Sequence, residues 1–196
     1  MHVSRKDKRR RRVVNLPSYA KNWQPKEIVK VECHPNGAYP AWPLEGQGGR
    51  ADKSLGEFSL RVAREHFRRE GYTVLASEPR LPNNEGFILL SYPRKRERRD
   101  AAYEQMVDIF GRDTLELLNA VADAVKIHYT GNRSGGDPDL FVFKGDGKKV
   151  RFFVEAKYKD SLIAKQRLCF PLIKKFLHCE VKGAQLHRNR ELNQRR

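Results

Sequence analysis

The twenty residues DLFVFKGDGKKVRFFVEAKY, positions 139–158, decide how this chain is read. Asp139 to Lys144 and Val150 to Tyr158 are runs dense in Phe and Val, and Gly145-Asp146-Gly147 between them is turn chemistry, so the spacing predicts a β-hairpin. Facing positions in an antiparallel pair sum to about twice the turn centre. With the turn near residue 147, the position facing 139 lies around 155, which brings Asp139 and Glu155 together. Lys157 lies two residues beyond Glu155, on the same face of its strand, and reaches the same place.

Two carboxylates side by side repel, and Phe152-Phe153-Val154-Glu155-Ala156 is an apolar strand in which an unpaired charge is costly. Two readings are open. In one, the charges form a cross-strand ion pair, worth under about 1 kcal/mol at a surface. In the other, a hard divalent cation such as Mg²⁺ sits between the carboxylates. Asp, Glu and Lys around such an ion are an apparatus for phosphodiester hydrolysis. The ion polarises the phosphate and lowers the pKa of a bound water, while the lysine orients that water or offsets charge in the transition state.

Outward from the hairpin, Leu55, Phe58, Val62 and Phe67 fall at helical spacing, with Ser54 as N-cap and Glu57 as its capping-box partner, and Gly71 closes the helix. Tyr72 to Ala76 and Phe87 to Tyr92 read as strands. Arg99 to Val125 reads as helix broken at Gly111, and Lys126 to Thr130 as a strand leading into the loop 131–138. His128 and Tyr129 on that strand read as core or surface rather than as functional groups. Leu162 to Leu177 reads as a helix in which Pro171 introduces a kink or starts a new helix.

The chain has 196 residues, 40 Lys+Arg and 24 Asp+Glu, a net charge of +16. With 39% hydrophobic residues it can build a core, which excludes a wholly disordered chain. It lacks an apolar run long enough to span a membrane, and its first residues lack the apolar core of a signal peptide, so the expectation is an intracellular protein without membrane partners. Cys33, Cys169 and Cys179 are widely spaced, and neither Cys33-His34 nor His178-Cys179 offers the close spacing of a structural zinc site. The positive field points to nucleic acid.

Arg9, Arg10, Arg11 and Arg12 in the N-terminal arm, and Arg133 in the glycine-rich loop 131–136, are the candidates for phosphate contact. That loop lacks the Lys-Ser/Thr ending of a P-loop, which disfavours nucleotide hydrolysis. The organisation predicted is a basic arm (1–25), an extended Pro/Gly-rich strap (26–53), a main domain (54–183) and a basic tail (184–196).

Gly136-Asp137-Pro138-Asp139-Leu140 followed by Phe153-Val154-Glu155-Ala156-Lys157 resembles the PD-(D/E)XK nuclease signature. With Asp160-Ser161-Leu162 and Gln166 after the lysine, it resembles more narrowly the VRR-NUC (virus-type replication and repair nuclease) branch. The resemblance implies an α/β, restriction-endonuclease-like core with a central mixed sheet flanked by helices. It implies that Asp139, Glu155 and the Ala156 carbonyl bind Mg²⁺, for which Mn²⁺ substitutes, and that Lys157 is the catalytic lysine. It further implies that Glu57 on the first helix completes the metal site and that Gln166 helps fix the lysine or the scissile phosphate. The expected activity is metal-dependent DNA cleavage, structure-selective and serving replication, repair or recombination, with RNA left open as a substrate. The alternative is a non-catalytic nucleic-acid-binding protein with a nuclease-like fold. The stretch 94–125 is left as either a dimer surface or a substrate-binding helix pair.

Overall fold

The hairpin forms in the register the spacing predicts. Leu140 faces Val154 and Lys144 faces Val150, so the next pair outward is Asp139 and Glu155. The computed structural model describes residues 15–33, 51–76, 101–133, 135–157 and 161–188. In chain order the elements are α1 (Ser18–Lys21), β1 (Ile28–Cys33), α2 (Ala51–Arg69), β2 (Thr73–Ala76), α3 (Ala101–Phe110), α4 (Arg112–Thr130), β3 (Leu140–Lys144), β4 (Val150–Lys157), α5 (Ala164–Leu177) and β5 (Glu180–Arg188).

The strands make one mixed sheet in the order β1-β5-β4-β3-β2. β2, β3 and β4 pair antiparallel, whereas β4 with β5 and β5 with β1 pair parallel. Both faces are covered, which is why β3 and β4 are almost continuously apolar rather than alternating with polar residues. Val142, Phe152 and Val154 face α2 and pack with Phe58, Val62 and Phe67. Phe141, Phe143 and Phe153 point the other way and pack with Met106, Leu115, Leu118, Leu168 and Phe170 from α3, α4 and α5. Helices therefore flank the sheet on both sides.

Four expectations are corrected. Lys126 to Thr130 is not a strand: α4 runs unbroken from Arg112 to Thr130, so His128 and Tyr129 lie on a helix. The β-branched and aromatic residues there favour a strand locally, but Lys126 continues the inward stripe Leu115, Leu118 and Ala122. The helix ends where Gly131 takes the left-handed conformation and its N–H donates to the Ile127 carbonyl at 2.9 Å. The break at Gly111 is where the pattern placed it, between α3 and α4.

Second, α2 is already helical at Ala51, so Ser54 sits inside it rather than capping it. Third, Pro171 starts no new helix; α5 runs through it. Fourth, residues 28–33, read as part of the strap, form β1, and residues 184–188, read as tail, belong to β5, which lies between β1 and β4. The expected strand at Phe87 to Tyr92 lies outside the described residues. Among the described residues, no helix is long and apolar enough to cross a membrane.

Candidate active site

Strand alternation turns Glu155 and Lys157 to the same side as Phe153, towards α5. Glu155 is 1% exposed. Its Oε1 is held from two sides: Lys157 Nζ lies 2.9 Å away, and the Gln166 side-chain amide donates to the same oxygen. Its Oε2 is buried and, among the described residues, has no hydrogen-bond partner. Asp139, half-buried at the mouth of β3, accepts the Ala156 backbone N–H on Oδ2 at 2.8 Å. That bond ties the start of β3 to the end of β4 and keeps the two carboxyls adjacent.

Both carboxyls hold their protons well above the ordinary carboxylate range. For Asp139 the main cause is burial, opposed by the Ala156 N–H and the Lys157 charge. For Glu155 burial again comes first, then the neighbouring Asp139 charge, with Lys157 and Gln166 pulling the other way. One lysine does not offset the burial of two carboxylates. A divalent cation would do so, and hard oxygen donors with an orphaned buried lone pair suit it. The donor set therefore fits Mg²⁺, which the side chains of Asp139 and Glu155 could hold. Among the described residues no group of three or more His, Cys, Asp or Glu side chains comes together.

Gln166 is placed by the start of α5. Ile163 is the N-cap, and its N–H donates to Gln166 Oε1 at 3.1 Å, which leaves the amide NH₂ of Gln166 aimed at Glu155. Its contacts are with Glu155 and the helix end rather than with Lys157. Gly136 brings the loop before Asp139 against α5: its φ is +95°, and a Cβ there would meet Cys169 Sγ at 3.0 Å and the Lys165 carbonyl at 3.2 Å. This explains why a glycine stands at that point of the 136–140 motif.

The structure brings together Asp139, Glu155, Ala156, Lys157 and Gln166. Ala156 contributes its N–H to the Asp139 contact. The backbone of Glu57 lies in α2, on the opposite face of the sheet from Glu155, and its side chain lies outside what is described. Arg133 is exposed in the loop after α4, and Arg9, Arg10, Arg11 and Arg12 lie outside the described residues.

Beside Glu155 and Lys157 opens a cavity of about 190 Å³ whose other walls include Gln24, Pro25, Ile28, Ser161 and Gln185. Gln185 comes from β5, directly across from Lys157, and Ile28 from β1. Sequence reasoning missed Ile28 and Gln185 because residues 28–33 were assigned to a strap and 184–188 to a tail. The signal that could have found them is the β-branched run Ile28-Val29-Lys30-Val31. No known protein family, characterised protein or solved structure matches the chain.

Proposed function

We propose that the protein is a Mg²⁺-dependent nuclease that hydrolyses DNA phosphodiester bonds. In this reading it has a restriction-endonuclease-like core of the PD-(D/E)XK type, nearest in its motif to the VRR-NUC branch. The observation that carries the proposal is the carboxyl pair of buried Glu155 and half-buried Asp139. Asp139 and Glu155 are crowded together with raised proton affinity, one oxygen of Glu155 lacks a donor among the described residues, and Lys157 stands beside them. A structural ion pair leaves no reason for a second carboxyl crowded against the first, whereas a cation site needs it.

Asp139, Glu155 and the Ala156 carbonyl are the groups that would hold the ion. When bound, it supplies Lewis-acid polarisation of the phosphate and a water of lowered pKa. The chain's own residues do the rest. Gln166 and Lys157 hold Glu155 by Oε1, which leaves Oε2 as the oxygen that would take the ion. The Lys157 ammonium, part exposed, then stands where it can offset charge on the phosphoryl oxygens. The net charge of +16, with Arg9 to Arg12 and Arg133, draws in the phosphate backbone without reading sequence. Gln24 and Gln185 line the cavity beside Glu155 and Lys157. The resemblance implies products with a 5′-phosphate and a 3′-hydroxyl, and a role in replication, repair or recombination.

The test incubates the protein and its Asp139→Ala and Lys157→Ala variants with plasmid, linear duplex and four-way-junction DNA, in Mg²⁺, Mn²⁺ or excess chelator. Cleavage is expected with either metal, absent in chelator, abolished in Asp139→Ala and reduced by about 10²–10³-fold in Lys157→Ala. If all three proteins bind DNA equally and none cuts under any metal, the nuclease reading fails and a nucleic-acid-binding module replaces it.

A further inference from the structure

The segment that leads from α4 into β3 carries two aspartates two residues apart, Asp137 and Asp139, and only Asp139 sits against Glu155. Asp137 is not among the groups that shift Asp139 or Glu155. Its charge acts on the other side of the segment, at the Cys169 thiol of α5. That thiol lies directly under the loop, since a Cβ on Gly136 would meet Cys169 Sγ at 3.0 Å and the Lys165 carbonyl at 3.2 Å.

Three further charges converge on Cys169: Lys126 and Asp123 from α4, and Lys165 from the first turn of α5. Lys126 has no exposed surface, and its ammonium lies 3.1 Å from Asp123 Oδ1. It stands in a stripe that is otherwise Leu115, Leu118 and Ala122, which an apolar side chain would continue without taking an ammonium out of water. Burial first, and the Lys126 charge second, lower the proton affinity of Lys165. Asp123 alone does not balance two lysines here. Asp137, half-buried at the same place, supplies the second carboxylate.

We infer that Lys126 is a positioning residue for the metal site: with Lys165 it draws Asp137 to the α4–α5 side of the loop and so leaves Asp139 as the aspartate that meets Glu155. Gly136 and Pro138, on either side of Asp137, are both buried, and the proline ring fixes φ at the step before Asp139. The side to which Asp137 turns therefore sets the course of the chain into Asp139, whose Oδ2 accepts the Ala156 N–H at 2.8 Å. Without the Lys126 charge, Asp137 loses its counterion and competes with Asp139 for the cation. Lys126 acts only through these two aspartates, in the manner of groups that orient metal ligands from behind. The inference rests on the metal site proposed above.

Mn²⁺ binding to the full chain without DNA, read by electron paramagnetic resonance, tests it. The parent is expected to bind and Asp139→Ala not to. Lys126→Met should bind about 10–100-fold more weakly, with the circular dichroism of the parent. Adding Asp137→Asn to Lys126→Met should recover most of that loss, a coupling that a lysine merely supporting the fold does not produce. Lys165→Met, at a part-exposed position, should weaken binding in the same direction, and it decides the matter where Lys126→Met does not fold. A parent that takes up no Mn²⁺, or an Asp139→Ala chain that binds as the parent does, overturns the metal site and this inference with it. A parent that binds, with both lysine variants binding equally well, overturns this inference and leaves the metal site standing. A loss in Lys126→Met that Asp137→Asn does not relieve does the same.

Discussion

The two oxygens of Glu155 have different surroundings: Oε1 takes a lysine and an amide, and Oε2 has no partner among the described residues. Such a carboxyl is most stable carrying a proton or a cation. The sign of its pH dependence follows. Asp139 and Glu155 hold protons more tightly in the fold than in the unfolded chain, so the folded state binds the excess protons. The stabilisation they contribute is therefore fully present below the ordinary carboxylate range, about 4. It is lost as pH rises through the raised native values, up to about 8 for Glu155. In chelator, Glu155→Gln is expected to match the parent in Tm near pH 5 and to exceed it near pH 8. Mg²⁺ should then raise the Tm of the parent at the higher pH and leave Glu155→Gln unmoved. Thermal melts in four buffers decide this, and a gap that does not change with pH counts against the buried pair. At this scale the sequence was legible: the turn at 145–147 and strict alternation suffice to pair Asp139 with Glu155. The role of Gln166 was half legible, because which neighbour an amide eleven residues away meets depends on how α5 docks.

The helix α4 shows how an element overrides its own local preferences. Ile127, Tyr129 and Thr130 are good strand residues, yet the helix nucleated upstream continues through them because Lys126 prolongs a buried stripe. The result is a lysine with no exposed surface, whose ammonium lies 3.1 Å from Asp123 Oδ1. Removing the acid strands the charge, so Asp123→Ala is expected to cost about 3–5 kcal/mol in chemical denaturation, and Lys126→Met considerably less, since an apolar chain of similar length fits the site. Equal losses would mean that burial of the lysine stem, rather than its pairing, is what matters. β1 and β5 failed to stand out for a different reason. β5 contains Lys182, Gly183 and Gln185 and reads as polar. It is a strand because β1 and β4 flank it on both sides and satisfy its backbone groups.

Across the molecule, charge and apolar surface are sorted. Basic residues crowd the termini and the exposed sides of α2 and α5, while α4 shows an acidic and apolar face. Nucleic-acid affinity should accordingly fall steeply with salt. Replacing Arg9, Arg10, Arg11 and Arg12 by alanine is expected to weaken binding to all sequences alike and to flatten the log K against log salt slope, by about 0.9 for each duplex phosphate that the arm no longer neutralises. Fluorescence anisotropy at several salt concentrations measures it. An unchanged slope would mean that the arm does not touch phosphate.

Composition and periodicity by themselves determined the basic character, most of α2, α3 and α4 up to Val125, the β3–β4 hairpin and the meeting of Asp139 with Glu155, because each depends on spacing within a short stretch of chain. The tertiary structure alone decided that β1 and β5 complete the sheet, that Gln166 grips Glu155, that Lys126 lies in the core and that α4 keeps an apolar face outward. These depend on which distant segment covers which surface. Burial is a property of the packed whole, and no local pattern of residues encodes it.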